Sequence, residues 1–263
     1  MQTTKDAIAA IKANGYELDF STVFTKAFEN YKKTALNAGV AMLLLILLVG
    51  GLAVFAILGL YGLSTASDAL SGFDVKDMSV TWLFLYIGAM VFSGALIGPF
   101  YAGLMKMAQS AEKGENFSVA TAFTYYQNKL FGEIFITVLI ISLFSITFSI
   151  GLEWVGYQWL GLLLSLSLSF LTFLAIPLVI FGGLKPLEAI EGSMIVVSKE
   201  IFVILGLLIV SFLFMMLGIF AFCIGILFTM PFIYSMYYII YAETIGDPID
   251  VPASHSDTAP EEY

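Results

Sequence analysis

The sequence predicts an all-α polytopic membrane protein, a bundle of six transmembrane helices arranged as three repeats of amphipathic surface helix plus helical hairpin. Composition points there first: 60% hydrophobic residues against 12% charged exceeds what a soluble domain of this length keeps in water. Long charge-free runs point there next, because a bilayer core of roughly 30 Å takes about 20 apolar residues of helix. The third observation is that lysines gather in the polar segments between alternate runs.

Residues 1–37 form an N-terminal segment, polar and lysine-bearing, with no short apolar stretch resembling a removable signal peptide. Its FSTVFTKAFENYKKTAL stretch sets Phe20, Val23, Phe24, Ala27, Phe28 and Tyr31 on one helical face. Lys26, Glu29, Asn30, Lys32 and Lys33 lie on or near the other. That stripe (Phe20, Phe24, Phe28, Tyr31) predicts a helix lying along the membrane surface.

The membrane domain, 38–244, follows. Spans one and two are read at 38–63 and 81–105, both without an ionisable residue, separated by a loop holding Asp68, Asp74, Lys76 and Asp77. A second surface helix is expected at 118–131, where Val119, Ala122, Phe123, Tyr126 and Leu130 share a stripe. Spans three and four are read at 134–152 and 158–184, divided at Glu153 beside Trp154 and Trp159. A third surface helix is expected at 186–199, with Leu187, Ile190, Met194, Val197 and, just beyond it, Ile201 on its apolar side.

From Ile201 to Ala242 no residue is charged, a run that would reach about 63 Å as a single helix, so it has to reverse. The reversal is expected between Gly218 and Gly225, around Phe222 and Cys223, which gives spans five and six at 201–220 and 224–243. Residues 245–263 are acidic, contain proline and lack a basic residue, the composition of a disordered tail.

The repeats rest on register. Aligning Ala27-Phe28, Ala122-Phe123 and Ala189-Ile190 brings in each following span at a similar distance, and each cycle closes on a span with one proline: Pro99, Pro177 and Pro231. These prolines predict helix kinks. Orientation follows from the loops, since six crossings put ten of the eleven basic residues, all lysines, on one side and leave Lys76 opposite. By the positive-inside rule both ends are cytoplasmic.

LKPLEAIEGSMIVVSKEIFVILGLLI, followed by GIFAFCIGILFTMPFIYSMYYIIYAE, resembles a broad family of bacterial six-helix membrane proteins. That family includes the YciC-like proteins and the membrane domain fused to some glycerophosphodiester phosphodiesterases. The opening NGYELDFSTVFTKAFENYKK is similar to members from Bacteroidetes. The resemblance implies a bacterial inner-membrane location and carries no reactive motif. Members sometimes bear a β-carotene 15,15'-monooxygenase label, a chemistry that holds iron through several histidines. This chain has one, His255, in the tail.

Other chemistry finds few parts. The span cores contain no ionisable residue, so a proton relay or an ion-coupled site has no carrier group. Glu133, at the entrance of span three, is spaced to pair with Lys129. No HExxH, catalytic base or metal-ligand spacing occurs, and Cys223 is the single cysteine. Without arginine there is no fork for phosphate backbones, which excludes nucleic acid. Ser165, Ser169 and Thr172 share a face, as do Gly94 and Gly98, and both sets predict close helix contacts. The sequence therefore predicts no cofactor, no catalytic or metal site, and membrane lipids or other membrane proteins as partners. The expected role is a structural or accessory one. The alternatives are a permease or flippase for an apolar or amphipathic compound and, last, a lipid- or carotenoid-oxidising enzyme.

Overall fold

A computed structural model describes residues 3–71, 78–220 and 224–246. The loop residues 72–77, the hairpin turn at 221–223 with Cys223, and the acidic tail from 247 with His255 lie outside the described residues. Among the described residues every regular element is helical. Six helical segments are long and apolar enough to cross a membrane, as expected of a multi-pass membrane protein.

Helix α1 (Thr4–Asn14) is an element the hydropathy pattern did not foretell. Its N-terminus is closed by Thr3 and Asp6 in a capping box, and it ends at Gly15 with a φ of 72°. Helix α2 (Phe20–Ser71) then runs unbroken for 52 residues. This corrects the expectation of a separate surface helix ahead of span one. Thr34 to Ala41 contain no proline, and the isolated Asn37 and Gly39 do not stop a helix that is already propagating from stripe into span.

Helix α3 (Val80–Lys113) carries Pro99 within it and stops at Gly114, whose φ of 70° is left-handed. The second surface segment is shorter than expected: a 3-10 helix over Val119–Tyr126, after which the chain turns before α4. In that turn Asn128 Oδ1 accepts from the Leu130 N–H at 3.0 Å and diverts the backbone from the helix. Lys129 lies in the same turn, ahead of α4 (Phe131–Trp154), so the expected Lys129–Glu133 helical pair does not form.

Span four is divided into α5 (Gln158–Thr172) and α6 (Ala175–Ile180). A third helix occupies the expected residues as α7 (Pro186–Lys199), with Pro186 in its first turn, but it buries Ala189, Gly192, Ser193, Val196 and Val197 and leaves Leu187 and Met194 of the expected stripe exposed. Span five is α8 (Ile201–Phe220), and span six is divided into α9 (Ile224–Thr229) and α10 (Pro231–Thr244).

Small residues set the helix approaches. Added Cβ atoms at Gly94 and Gly98 would lie 3.2 Å from Ser142 Oγ and 2.6 Å from Val138 Cγ2, so α3 meets α4 through this pair as expected. Ser145 and Ser165 hydroxyls meet at 2.8 Å between α4 and α5. At the centre, α3, α6 and α10, the span elements that carry Pro99, Pro177 and Pro231, pack against one another pairwise. Leucine, isoleucine and phenylalanine side chains such as Leu47, Phe84, Leu163 and Phe212 face outward from the spans, a belt suited to acyl chains.

Candidate functional site

The places where a carrier would open a path are the proline regions, because proline leaves backbone groups unpaired inside a span. Each of the three is met by one polar segment, and the residue three positions beyond the aligned Phe28, Phe123 and Ile190 takes part in each contact.

At Pro177 the contact is a pair of hydrogen bonds. The turn at 173–174 separates α5 from α6, and Ser193 of α7 sits fully buried against it. Ser193 Oγ accepts from the Leu174 N–H at 3.1 Å and donates to the Leu171 carbonyl at 2.8 Å. One hydroxyl thus stands in for the missing helical partners on both sides of the break.

At Pro99 the contact is a single hydrogen bond. Tyr126, at the end of the 3-10 segment, donates to the Leu96 carbonyl at 2.8 Å. Burial raises its pKa, which keeps the hydroxyl a donor. The segment comes this close because Gly103 has no side chain: a Cβ there would collide with the Ala122 backbone.

At Pro231 the contact is aromatic. Phe24, Phe28 and Tyr31 surround the fully buried Phe232 ring at centroid distances of 6.0, 6.3 and 5.6 Å, and Tyr31 meets Phe214 of α8 at 5.3 Å. The expected stripe is present, but three of its four members face the bundle. Phe24, Phe28 and Tyr31 pack on the core, while Phe20 is partly exposed at the outer end, stacked on Phe24 with its ring edge toward Gly206 of α8. The reason is α2's straight continuation. It stands the stripe upright beside α10, where edge-to-face aromatic pairs add about 0.5–1.5 kcal/mol each.

The prolines differ in their local effect. Pro231 opens α10 after the break at Met230, and Pro177 lies in the first turn of α6. Pro99 sits inside an uninterrupted α3, so a helix break accompanies two of the three expected kinks. All three prolines are buried.

Below these contacts lies a polar junction that sequence reasoning missed. Asn30 of α2 is fully buried, and its Nδ2 donates to the Ala108 carbonyl at 2.7 Å and to Glu112 Oε2 at 3.3 Å. Lys26 bridges to Glu243 at 2.6 Å, and the Thr34 and Ser235 hydroxyls meet at 3.4 Å. Together these tie α2 to the ends of α3 and α10. Asn30 reads in sequence as the polar side of an amphipathic helix, and only its burial distinguishes it from Glu29.

The segment before α2 closes the structure on the far side. Ile8 and Ile11 of α1 are buried, Lys5 pairs with Glu188 of α7 at 2.7 Å, and the Tyr16 hydroxyl donates to the Val196 carbonyl at 3.1 Å. Burial, then the nearby Glu200 charge, raises the Tyr16 pKa. Among the described residues no group of three or more histidine, cysteine or carboxylate side chains is placed to hold a metal.

What defines this region is a membrane bundle whose three proline positions are each filled by a neighbouring polar segment. Comparison with protein-family models, curated proteins and solved structures finds no match.

Proposed function

We propose that the chain is a non-enzymatic structural or accessory protein of a bacterial inner membrane. Both ends lie in the cytoplasm, and the bundle is built as three repeats that present an apolar belt to lipids or membrane-protein partners. The observation that carries this reading is the filling of the proline regions by Ser193, Tyr126 and the Phe24–Phe28–Tyr31 aromatic stripe. A permease needs its broken backbone to face a cavity. Here side chains bond the backbone beside Pro177 and Pro99 and pack against the ring that follows Pro231. The equivalent placement of the three contacts supports the repeat reading, and the lysine-rich loops support the orientation.

The test is reconstitution of the purified protein into vesicles carrying fluorescent phospholipid, with lipid exchange between leaflets followed by dithionite bleaching. An accessory protein leaves the exchange at the protein-free rate. Acceleration that grows with protein density would replace this reading with a flippase.

A further inference from the structure

We propose that the cleft between α1 and α7 binds a phospholipid headgroup carrying both a phosphate and a primary ammonium, a phosphoethanolamine. This rests on the reading above that the chain contacts membrane lipids, and it names the lipid and its place. The two helices face each other along matching stripes, positions 5, 8, 9 and 12 of α1 against 188, 191, 192 and 195 of α7, and leave an open cleft of about 220 Å³ between them. The floor is apolar, made by Ile8, Leu184 and Ile195. Gly192 lets α1 sit this close, since a Cβ there would lie 2.8 Å from Ile8 Cδ1.

The rim carries the specificity. Lys5 and Glu188 satisfy each other at 2.7 Å. Lys12 and Glu191 line the same cleft, and among the described residues neither has an ion-pair or hydrogen-bond partner. Two unpaired charges of opposite sign on one small cavity are complementary to a zwitterion. A phosphate alone would meet Lys12 and leave Glu191 facing a like charge, and an amine alone would do the reverse. A primary ammonium donates hydrogen bonds to a carboxylate, which a quaternary choline cannot. An anionic glycerol headgroup brings no cation for Glu191.

Location favours a bilayer source for this chemistry. Helix α7 links the end of span four to the start of span five, so the cleft opens near the membrane boundary, at the level of headgroups.

The test uses the full chain in nanodiscs made from equal parts phosphatidylethanolamine, phosphatidylglycerol and phosphatidylcholine with matched acyl chains. Native mass spectrometry then counts the lipid that stays bound after release into mild detergent. The expected result is one retained phosphatidylethanolamine, in about fivefold or greater excess over either competitor. Lys12→Gln and Glu191→Gln should each erase the excess with the melting temperature unchanged, and Lys129→Gln should leave it intact. Three results would overturn the site: equal retention of the three classes, an excess that survives both substitutions, or dependence on Lys12 but not Glu191 with displacement by inorganic phosphate, the mark of a simple anion site. Lipid exchange in the vesicle assay with the excess intact overturns the accessory reading and leaves the site standing. Loss of the excess without exchange does the opposite.

Discussion

Ser193→Ala isolates the bond pattern on which span four depends. The substitution removes an oxygen that accepts from Leu174 N–H at 3.1 Å and donates to Leu171 C=O at 2.8 Å, at a site with no solvent exposure. Each buried backbone group left without a partner costs about 1–3 kcal/mol. Hydrogen bonds inside membrane proteins measure lower, about 0.6 kcal/mol on average and up to about 1.7. For two bonds shared by one hydroxyl the expected loss is therefore about 1–3 kcal/mol. At tenfold per 1.4 kcal/mol that is about 5- to 150-fold in the opening equilibrium of the break. Amide exchange at Leu174, resolved by mass spectrometry in micelles, should rise by that factor, and reversible unfolding should show the same loss. Ser167→Ala is the control, because Ser167 Oγ bonds only the Leu163 carbonyl of its own helix and faces outward; its effect should be near zero. Equal exchange in the two variants would refute the idea that α7 completes the backbone of span four.

Three further outcomes follow from the same geometry. Gly103→Ala drives a Cβ into the Ala122 backbone and should cost about 1–3 kcal/mol, whereas Gly50→Ala, with nothing within 4 Å, should be neutral or gain about 0.5–1 kcal/mol from helix propensity; paired unfolding curves check both. Phe232→Ala removes the ring shared by Phe24, Phe28 and Tyr31 and should lose about 3–5 kcal/mol in the same assay, against well under 1 kcal/mol for Phe202→Ala on the outer face. Acid should loosen α1: the Lys5 hydrogen bond holds Glu188 below the ordinary carboxylate value, so its contribution is complete above the unfolded value of about 4.3 and is lost as pH falls through the lowered folded value. A fluorophore at Ala13→Cys should report a small release on acidification, weakened by salt and absent in Lys5→Gln.

Span positions were legible in the sequence because the bilayer imposes one simple requirement, a charge-free run of sufficient length. The runs from 38, 81, 134 and 201 lie within single helices, whereas those from 158 and 224 are broken at 173–174 and at Met230, and the fourth leaves the helix after Ile180 and not at 184. The sequence register of the polar segments pointed to the three prolines around which the candidate site is described. What periodicity could not reveal was the direction in which a stripe points. Phe24, Phe28 and Tyr31 have the same i, i+3, i+4 pattern whether they face lipid or Phe232, and the choice was made by an uninterrupted backbone between Thr34 and Ala41. Asn30 and Ser193 escaped notice for a related reason. A lone amide or hydroxyl on a polar-looking helix gains meaning only from a distant partner, Ala108 or Leu171, that sequence spacing does not bring near. Helix α1 was missed because its mean hydropathy is low and only Ile8 and Ile11 anchor it.

The central claim is that the proline regions are packed closed, and cysteine accessibility tests it most directly. With Cys223 replaced by alanine, single cysteines at Ala102, Val179 and Ser235, all buried beside the three prolines, would be challenged with a membrane-impermeant maleimide from each side of sealed vesicles. Closed packing predicts no labelling at any of the three from either side, with full labelling after solubilisation in denaturing detergent. Labelling of two or more in the intact membrane would mean that water reaches the broken backbone, and it would contradict the account.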